Sequence, residues 1–188
     1  SGSMGAVRKA TIDGFNTFLA EQKKQPGEAR LTLIQFSDDY EITHNDVQIQ
    51  DVPDLTEDTY VPDGGTGLLD ALGRAIVGLE TALKALPGDE RPGKVLFVVL
   101  TDGQDNRSRE HTRESVKALV TAAGAKGWGF VYLGAGLDVV VAARSMGMGQ
   151  SYTFTQNATG DTMARISRGV SSYRSHPAGS VAIGEAFD

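Results

Sequence analysis

The sequence lacks cysteine, long apolar runs and an excess of positive charge, and each absence excludes a class of protein. Without Cys, the 188-residue chain has no disulfide framework, no thiolate zinc site and no cysteine nucleophile. Its longest apolar run, residues 95–100, is far shorter than the roughly 20 residues that a membrane-spanning helix needs. No basic and apolar signal pattern stands at the start of the sequence, so we expect a cytoplasmic protein.

The charge balance argues against two classes of partner. The chain has 24 acidic and 18 basic residues and a formal net charge of -6. Nucleic acids and anionic membrane surfaces repel such a charge, so we expect neither as a partner. With 40% hydrophobic and 22% charged residues, the composition is that of a folded protein. We predict one domain over residues 1–175, followed by a loose C-terminal tail over residues 176–188.

Helical and extended patterns alternate along the chain. Apolar residues at three- and four-residue spacing predict helices over residues 6–24, 68–86, 112–125, 137–146 and 158–173. Apolar or alternating runs predict strands over residues 30–36, 40–49, 94–100, 128–133 and 152–155. The first two strands form a predicted hairpin, and residues 94–100 are apolar on both faces, which favours the middle of a sheet. The pattern predicts an α/β fold: a doubly wound, mainly parallel sheet with one antiparallel edge strand and helices on both faces.

Three polar loops fall where such a sheet binds ligands, beyond the carboxyl ends of its strands. They are residues 1–5, 63–66 and 101–106. Their candidate ligands are the hydroxyls of Ser1, Ser3 and Thr66 and the carboxylate of Asp102. All four side chains offer oxygen, which hard divalent cations prefer. The sequence therefore predicts a site for Mg²⁺, with Mn²⁺ or Ca²⁺ as alternatives.

The same residues carry a resemblance to a known family. Ser1-Gly2-Ser3-Met4, Asp63-Gly64-Gly65-Thr66 and Leu100-Thr101-Asp102-Gly103 look like the three pieces of the metal-ion-dependent adhesion site of von Willebrand factor type A domains. Residues 11–16, Thr-Ile-Asp-Gly-Phe-Asn, resemble the first helix of bacterial members and stand in the family's register. The resemblance covers almost the whole chain in the expected order of elements.

The resemblance implies a role for each ligand. Ser1 and Ser3 would bind the metal directly, Thr66 would do so in the ligand-bound form, and Asp102 would act directly or through water. A Glu or Asp of a partner protein would take the sixth position. Compact bacterial and phage members of this kind resemble cytoplasmic partners of AAA+ ATPases or members of stress-resistance clusters. The function implied is protein binding, not catalysis.

The sequence departs from the family pattern at its start. The family motif is Asp-x-Ser-x-Ser, and its Asp would lie two residues before Ser1. The apolar first strand that ends at this Asp, central in the family's sheet, is also missing. Two neighbouring strands would then carry unpaired backbone groups, each costing about 1–3 kcal/mol. We expect that upstream residues are omitted or that another chain supplies the strand.

Each site residue also has a structural interpretation. Ser1 and Ser3 are either native ligands, which the register favours, or a remnant of cloning before Met4. Thr66 is also a good N-cap for the helix that follows, and Asp102-Gly103 is also a turn signal.

Neighbouring charged residues have simpler interpretations still. Asp63 and Asp105 are expected to be solvated, and Asp70 to favour the helix dipole. Arg107, Arg109 and Arg113 either form a solvated helix start or help to select an acidic partner.

Two further functions stay open. A hydroxyl and carboxylate Mg²⁺ site in an α/β fold is compatible with phosphoryl transfer, although neither a nucleophilic Asp nor a phosphate-binding Lys stands in a matching loop. A structural assembly protein with a degenerate metal site is the third possibility.

Overall fold

The computed structural model describes residues 2–135, 138–154, 159–177 and 183–187, and the fold is mixed α/β. After a 3-10 segment at Gly2–Val7, the helices are α1 (Arg8–Lys23), α2 (Leu68–Ala85), α3 (Arg113–Gly124), α4 (Val139–Ser145), α5 (Thr159–Ser175) and α6 (Ile183–Phe187). The strands are β1 (Arg30–Phe36), β2 (Tyr40–Gln48), β3 (Leu96–Thr101), β4 (Gly129–Ala135) and β5 (Gln150–Phe154). The predicted alternation of helices and strands is confirmed.

The parallel sheet has the strand order β3-β4-β5, with β4 in the middle. Both neighbours of β4 are parallel to it, and Val98 of β3 stands opposite Val131 of β4. Every residue of β4 from 129 to 134 is buried. The carboxyl end of β3, at Thr101, therefore opens directly into the predicted ligand loop at Asp102.

Helices cover the parallel sheet on both faces. One core cluster joins α2, α3 and α4 to the sheet through Val99, Phe130 and Tyr132. The other joins the N-terminal segment, α5 and α6 to the opposite face through Val131 and Leu133. Because alternate residues of β4 enter the two clusters, the strand is buried from both sides.

The hairpin prediction is confirmed, but the hairpin does not join the parallel sheet. β1 and β2 pair antiparallel and form a two-stranded sheet of their own. The single sheet with an antiparallel edge strand is therefore not what the described residues form. A separate cluster of Leu19, Ile49 and Val52 connects the hairpin to α1, and Phe36 packs against the core beside α2.

The prediction that residues 94–100 lie in the middle of the sheet is wrong for the described part of the chain. β3 pairs with β4 alone and forms an edge. Val98 is 41% exposed there, whereas its partner Val131 is fully buried. The apolar composition of β3 reflects the packing of helices on its two faces. Composition does not indicate whether a strand has a neighbouring strand on one edge or on both.

The C-terminal prediction needs a second correction. Residues 183–187 form α6, whose Ala186 and Phe187 are buried in the core, so this part of the predicted tail is not loose. The predicted elements at 137–146, 152–155 and 158–173 are present, although residues 137, 155 and 158 lie outside the described residues. No helix of the described ranges is long and apolar enough to cross a membrane.

The two opposed valines provide a test of this topology. Val131→Ala is expected to lower the free energy of unfolding by about 2–3 kcal/mol, because it removes two methyl groups from a closed site in the central strand. Val98→Ala, the matched change on the exposed edge, is expected to cost less than about 1 kcal/mol. Urea unfolding of both variants measures the difference. Equal costs would contradict the assignment of β3 as an open edge.

Candidate functional site

Three segments that are distant in the sequence meet at the carboxyl end of β3. The Ser3 hydroxyl donates a hydrogen bond to Asp102 Oδ1 over 2.6 Å. The backbone N–H of Gly2 donates to the carbonyl of Gly64 over 3.0 Å. The N-terminal segment thus contacts both of the other predicted ligand loops. The predicted ligand Ser1 lies outside the described residues.

The Thr66 hydroxyl also lies near the carboxyl end of β3, beside Gly103. A Cβ on Gly103 would lie 2.9 Å from Thr66 Oγ1 and 3.6 Å from Ser3 Oγ. Both hydroxyl oxygens therefore approach the residue immediately after Asp102, and a side chain at residue 103 would displace the Thr66 hydroxyl. The structure brings Ser3, Thr66 and Asp102 together, as the three-loop prediction requires.

Asn106 holds the backbone of Thr66 from both sides. Thr66 N–H donates to Asn106 Oδ1 over 2.8 Å, and Asn106 N–H donates to the Thr66 carbonyl over 3.0 Å. Arg107 N–H donates to the same carbonyl over 3.2 Å. Asn106 is a residue that the sequence analysis missed, although it stands in the loop that was predicted to bind ligand.

Thr66 is not the N-cap of α2, contrary to the structural interpretation of this residue. Gly67 occupies that position and makes no side-chain capping bond. Two free N–H groups in the first turn of the helix are satisfied from another loop: Leu69 donates to Asp105 Oδ1 over 3.2 Å and Asp70 donates to Ser108 Oγ over 3.0 Å. The expectation that Asp105 is merely solvated is therefore also wrong.

Asp70 fixes the segment that leads into α3. Its carboxylate accepts hydrogen bonds from the backbone N–H groups of Arg109, Glu110 and His111, at 2.8, 2.9 and 2.8 Å. Burial raises the pKa of Asp70, but these three hydrogen bonds outweigh it and hold the pKa below its ordinary value. The residue lies in the first turn of α2, as the dipole interpretation expects, and has this further role.

Asp38, in the turn of the β1–β2 hairpin, braces the glycines before Thr66. Its Oδ1 accepts from Gly65 N–H over 3.1 Å and pairs with Arg107 Nε over 2.6 Å. Gly64 has a φ of 65°, and a Cβ there would lie 2.6 Å from Asp38 Oδ2. Gly64 therefore serves both the left-handed backbone conformation and the close approach of Asp38. Arg107 is thus engaged in an ion pair and is not simply solvated. The place where the side chains of Ser3, Thr66 and Asp102 meet is called the mouth.

The negative charge of Asp102 also acts on Tyr60. Burial raises the pKa of Tyr60 to about 12, and the Asp102 carboxylate adds to the shift because a second negative charge nearby is unfavourable. Tyr60 therefore keeps its proton at neutral pH. The Tyr60 backbone carbonyl accepts a hydrogen bond from Arg8 Nε over 3.0 Å, which ties the segment between β2 and α2 to α1.

The donor set of the mouth fits a hard cation better than a soft one. Ser3, Thr66 and Asp102 offer oxygen only, the ligand type that Mg²⁺, Mn²⁺ and Ca²⁺ prefer. Across the described ranges, no group of three or more His, Asp or Glu side chains is placed to hold a metal ion. A site at this mouth would therefore depend on hydroxyl groups and a single described carboxylate.

No protein-family model matches the chain, and a search of curated proteins finds no match.

The hydrogen bonds of Asp70 give a pH-dependent prediction. Asp70→Asn replaces Oδ2 by an NH₂ group that cannot accept from Arg109 N–H, so we expect a loss of about 1 kcal/mol at pH 7. Because the folded pKa is lowered, the wild-type advantage is present above the unfolded pKa, near 4, and disappears as the pH falls through the folded value.

Urea unfolding of Asp70→Asn and wild type from pH 7 to pH 3 measures this difference. Asp89→Asn, in an exposed surface turn, controls for the lost negative charge. A difference between Asp70→Asn and wild type that stays constant down to pH 3 would contradict the assignment.

Proposed function

We propose that the chain is a divalent-metal-dependent protein-binding module of the von Willebrand factor type A kind. Ser1, Ser3, Thr66 and Asp102 would hold Mg²⁺, or Mn²⁺ or Ca²⁺ in its place. A partner protein would offer an Asp or Glu carboxylate to the same ion. One observation carries the proposal. Ser3, Thr66 and Asp102 meet at the end of β3, although they come from three segments that are far apart in the sequence.

The proposed binding chemistry follows from the few negative charges in the donor set. Hydroxyl ligands are neutral, so Asp102 is the one described side chain of this set that brings a formal charge. Bound Mg²⁺ would supply an electrophilic centre for one more carboxylate. The chain would hold its hydroxyl oxygens at the mouth and leave one coordination position of the ion open to the carboxylate of the partner.

The architecture of the fold supports this proposal. A parallel sheet with helices on both faces ends in the three loops, which is the arrangement that the resemblance implies. The finer assignment, a doubly wound type A fold completed by an upstream strand and its Asp, belongs to the proposal. So do a cytoplasmic location and partners of the AAA+ ATPase or stress-resistance kind.

We propose binding in preference to catalysis. Residues 1–5, 63–66 and 101–111 contain no Lys that would hold a transferring phosphoryl group. The positive charge at the mouth comes instead from arginine, and Arg107 already pairs with Asp38.

Metal titration tests the proposed site. Asp102→Ala is expected to weaken Mn²⁺ or Mg²⁺ binding by more than about 100-fold, because even residues that only support a ligand are worth 10–100-fold. Thr66→Val, close in shape but without the hydroxyl, is expected to weaken binding, whereas Thr66→Ser keeps the oxygen donor. Isothermal calorimetry of the full-length protein provides the readout.

The control for the titration is Asp89→Ala, an equal loss of charge in the exposed segment Gly88–Glu90 that precedes β3. Metal affinity that is unchanged by Asp102→Ala would refute the proposed site. Metal-dependent phosphatase turnover would favour the enzyme instead.

Partner capture tests the proposed binding mode. We expect the immobilised protein to retain a partner in Mg²⁺ and to release it in chelator, and Asp102→Ala to retain none under either condition. Replacing the partner's contacting Asp or Glu by the corresponding amide is expected to abolish capture, since an amide carries no charge for the ion. Capture that persists in chelator would contradict a metal bridge.

A further inference from the structure

We propose that Asn106 is a positioning residue that aims the Thr66 hydroxyl at the metal. The inference rests on the proposed function, because it concerns the same site. Asn106 would not touch the ion. It would act through the backbone of Thr66, to which it is bound on both sides.

Asn106 forms hydrogen bonds with both the backbone N–H and the backbone carbonyl of Thr66. Asn106 accepts from the Thr66 N–H with its side chain and donates to the Thr66 carbonyl with its own backbone. Thr66 is only 3% exposed, and the hydrogen bond from its N–H to the exposed residue Asn106 is partly buried. Loss of the Asn106 side chain would leave a largely buried donor unsatisfied, and the loop would have to move to relieve it.

The backbone position of Thr66 also sets the position of its hydroxyl. Threonine is branched at Cβ, which restricts χ1. Thr66 Oγ1 also lies close to the backbone of Gly103. With the backbone held and the side chain confined, Oγ1 has little freedom to leave the mouth. A shift of the Thr66 backbone would carry the oxygen with it.

Gly65 provides an independent sign that the loop accommodates Asn106. A Cβ on Gly65 would lie 2.8 Å from Asn106 Oδ1 and would also overlap Arg107 Cγ. The φ of Gly65 does not fall in the left-handed region, so its backbone conformation is open to other residues. The absence of a side chain at residue 65 is therefore explained by the space that Asn106 and Arg107 occupy.

The chain contains a matched control for this interaction. Asn16, on α1, makes two side-chain amide hydrogen bonds with Leu55: its Nδ2 donates to the Leu55 carbonyl over 2.9 Å and its Oδ1 accepts from the Leu55 N–H over 2.8 Å. The second of these matches the bond that Asn106 Oδ1 accepts from the Thr66 N–H. Asn16→Ala removes hydrogen bonds of the same chemistry from a loop that holds none of the proposed ligands. It therefore separates lost stability from lost positioning.

The experiment compares Mn²⁺ affinity and thermal unfolding for wild type, Asn106→Ala, Asn106→Asp and Asn16→Ala. Asn106→Ala is expected to weaken Mn²⁺ binding by about 10–100-fold, the range for residues that orient a metal ligand. Asn106→Asp restores an acceptor for the Thr66 N–H and is expected to bind at least as tightly as wild type. Asn16→Ala is expected to lower the melting temperature and to leave Mn²⁺ affinity unchanged.

The outcomes separate this inference from the proposed function. Wild type that binds no Mn²⁺ would overturn the proposed function and the role of Asn106 with it. Wild type that binds, with Asn106→Ala equal to it, would overturn the positioning role alone. The positioning role would also fall if Asn16→Ala weakened binding as much as Asn106→Ala, or if Asn106→Asp failed to restore it.

Discussion

The paired hydrogen bonds between Thr66 and Asn106 join the loop before α2 to the loop after β3, and the geometry of the mouth depends on that junction. Around it, Asp105 and Ser108 satisfy the start of α2, and Asp70 binds the segment that leads into α3. Each of these contacts links residues that are about 40 positions apart. The loops therefore form one connected unit at the end of the parallel sheet, in which the position of one hydroxyl is set by several distant residues.

The chemistry proposed for the mouth follows from which side chains support the loops and which ones lie together at the mouth. Asp70 and Asp105 are engaged by backbone N–H groups, and Asp38 by Gly65 and Arg107. The side chains directed together at the mouth are those of Ser3, Thr66 and Asp102. An oxygen set with so few charges suits a cation that recruits a further carboxylate from another molecule. The surrounding carboxylates support the loops, and we assign them no direct contact with the ion.

Sequence reasoning was strongest where periodicity decides the outcome and weakest where loops contact one another. The alternating elements and the meeting of three loops were predictable, since the ends of parallel strands share an edge of the sheet. The edge position of β3 was not predictable, because the apolar pattern of residues 95–100 is the same for a strand with one neighbouring strand as for a strand with two. The cap signal at Thr66 was misleading because Asp105, on another loop, satisfies Leu69. Asn106 and Asp38 carry no local motif, and only the folded loops reveal their partners.

A crystal structure of the protein grown with Mn²⁺ would show whether a metal ion binds among Ser3, Thr66 and Asp102, because the anomalous signal of the ion locates it without reference to any motif. We predict a peak at the carboxyl end of β3, with Ser3 Oγ and Thr66 Oγ1 as direct ligands and an Asp102 oxygen as a ligand either directly or through one water. Direct distances should be close to those of a small hard cation, about 2.0–2.2 Å. A peak elsewhere on the chain, with Ser3 still hydrogen-bonded to Asp102 and no ion among the three side chains, would contradict it.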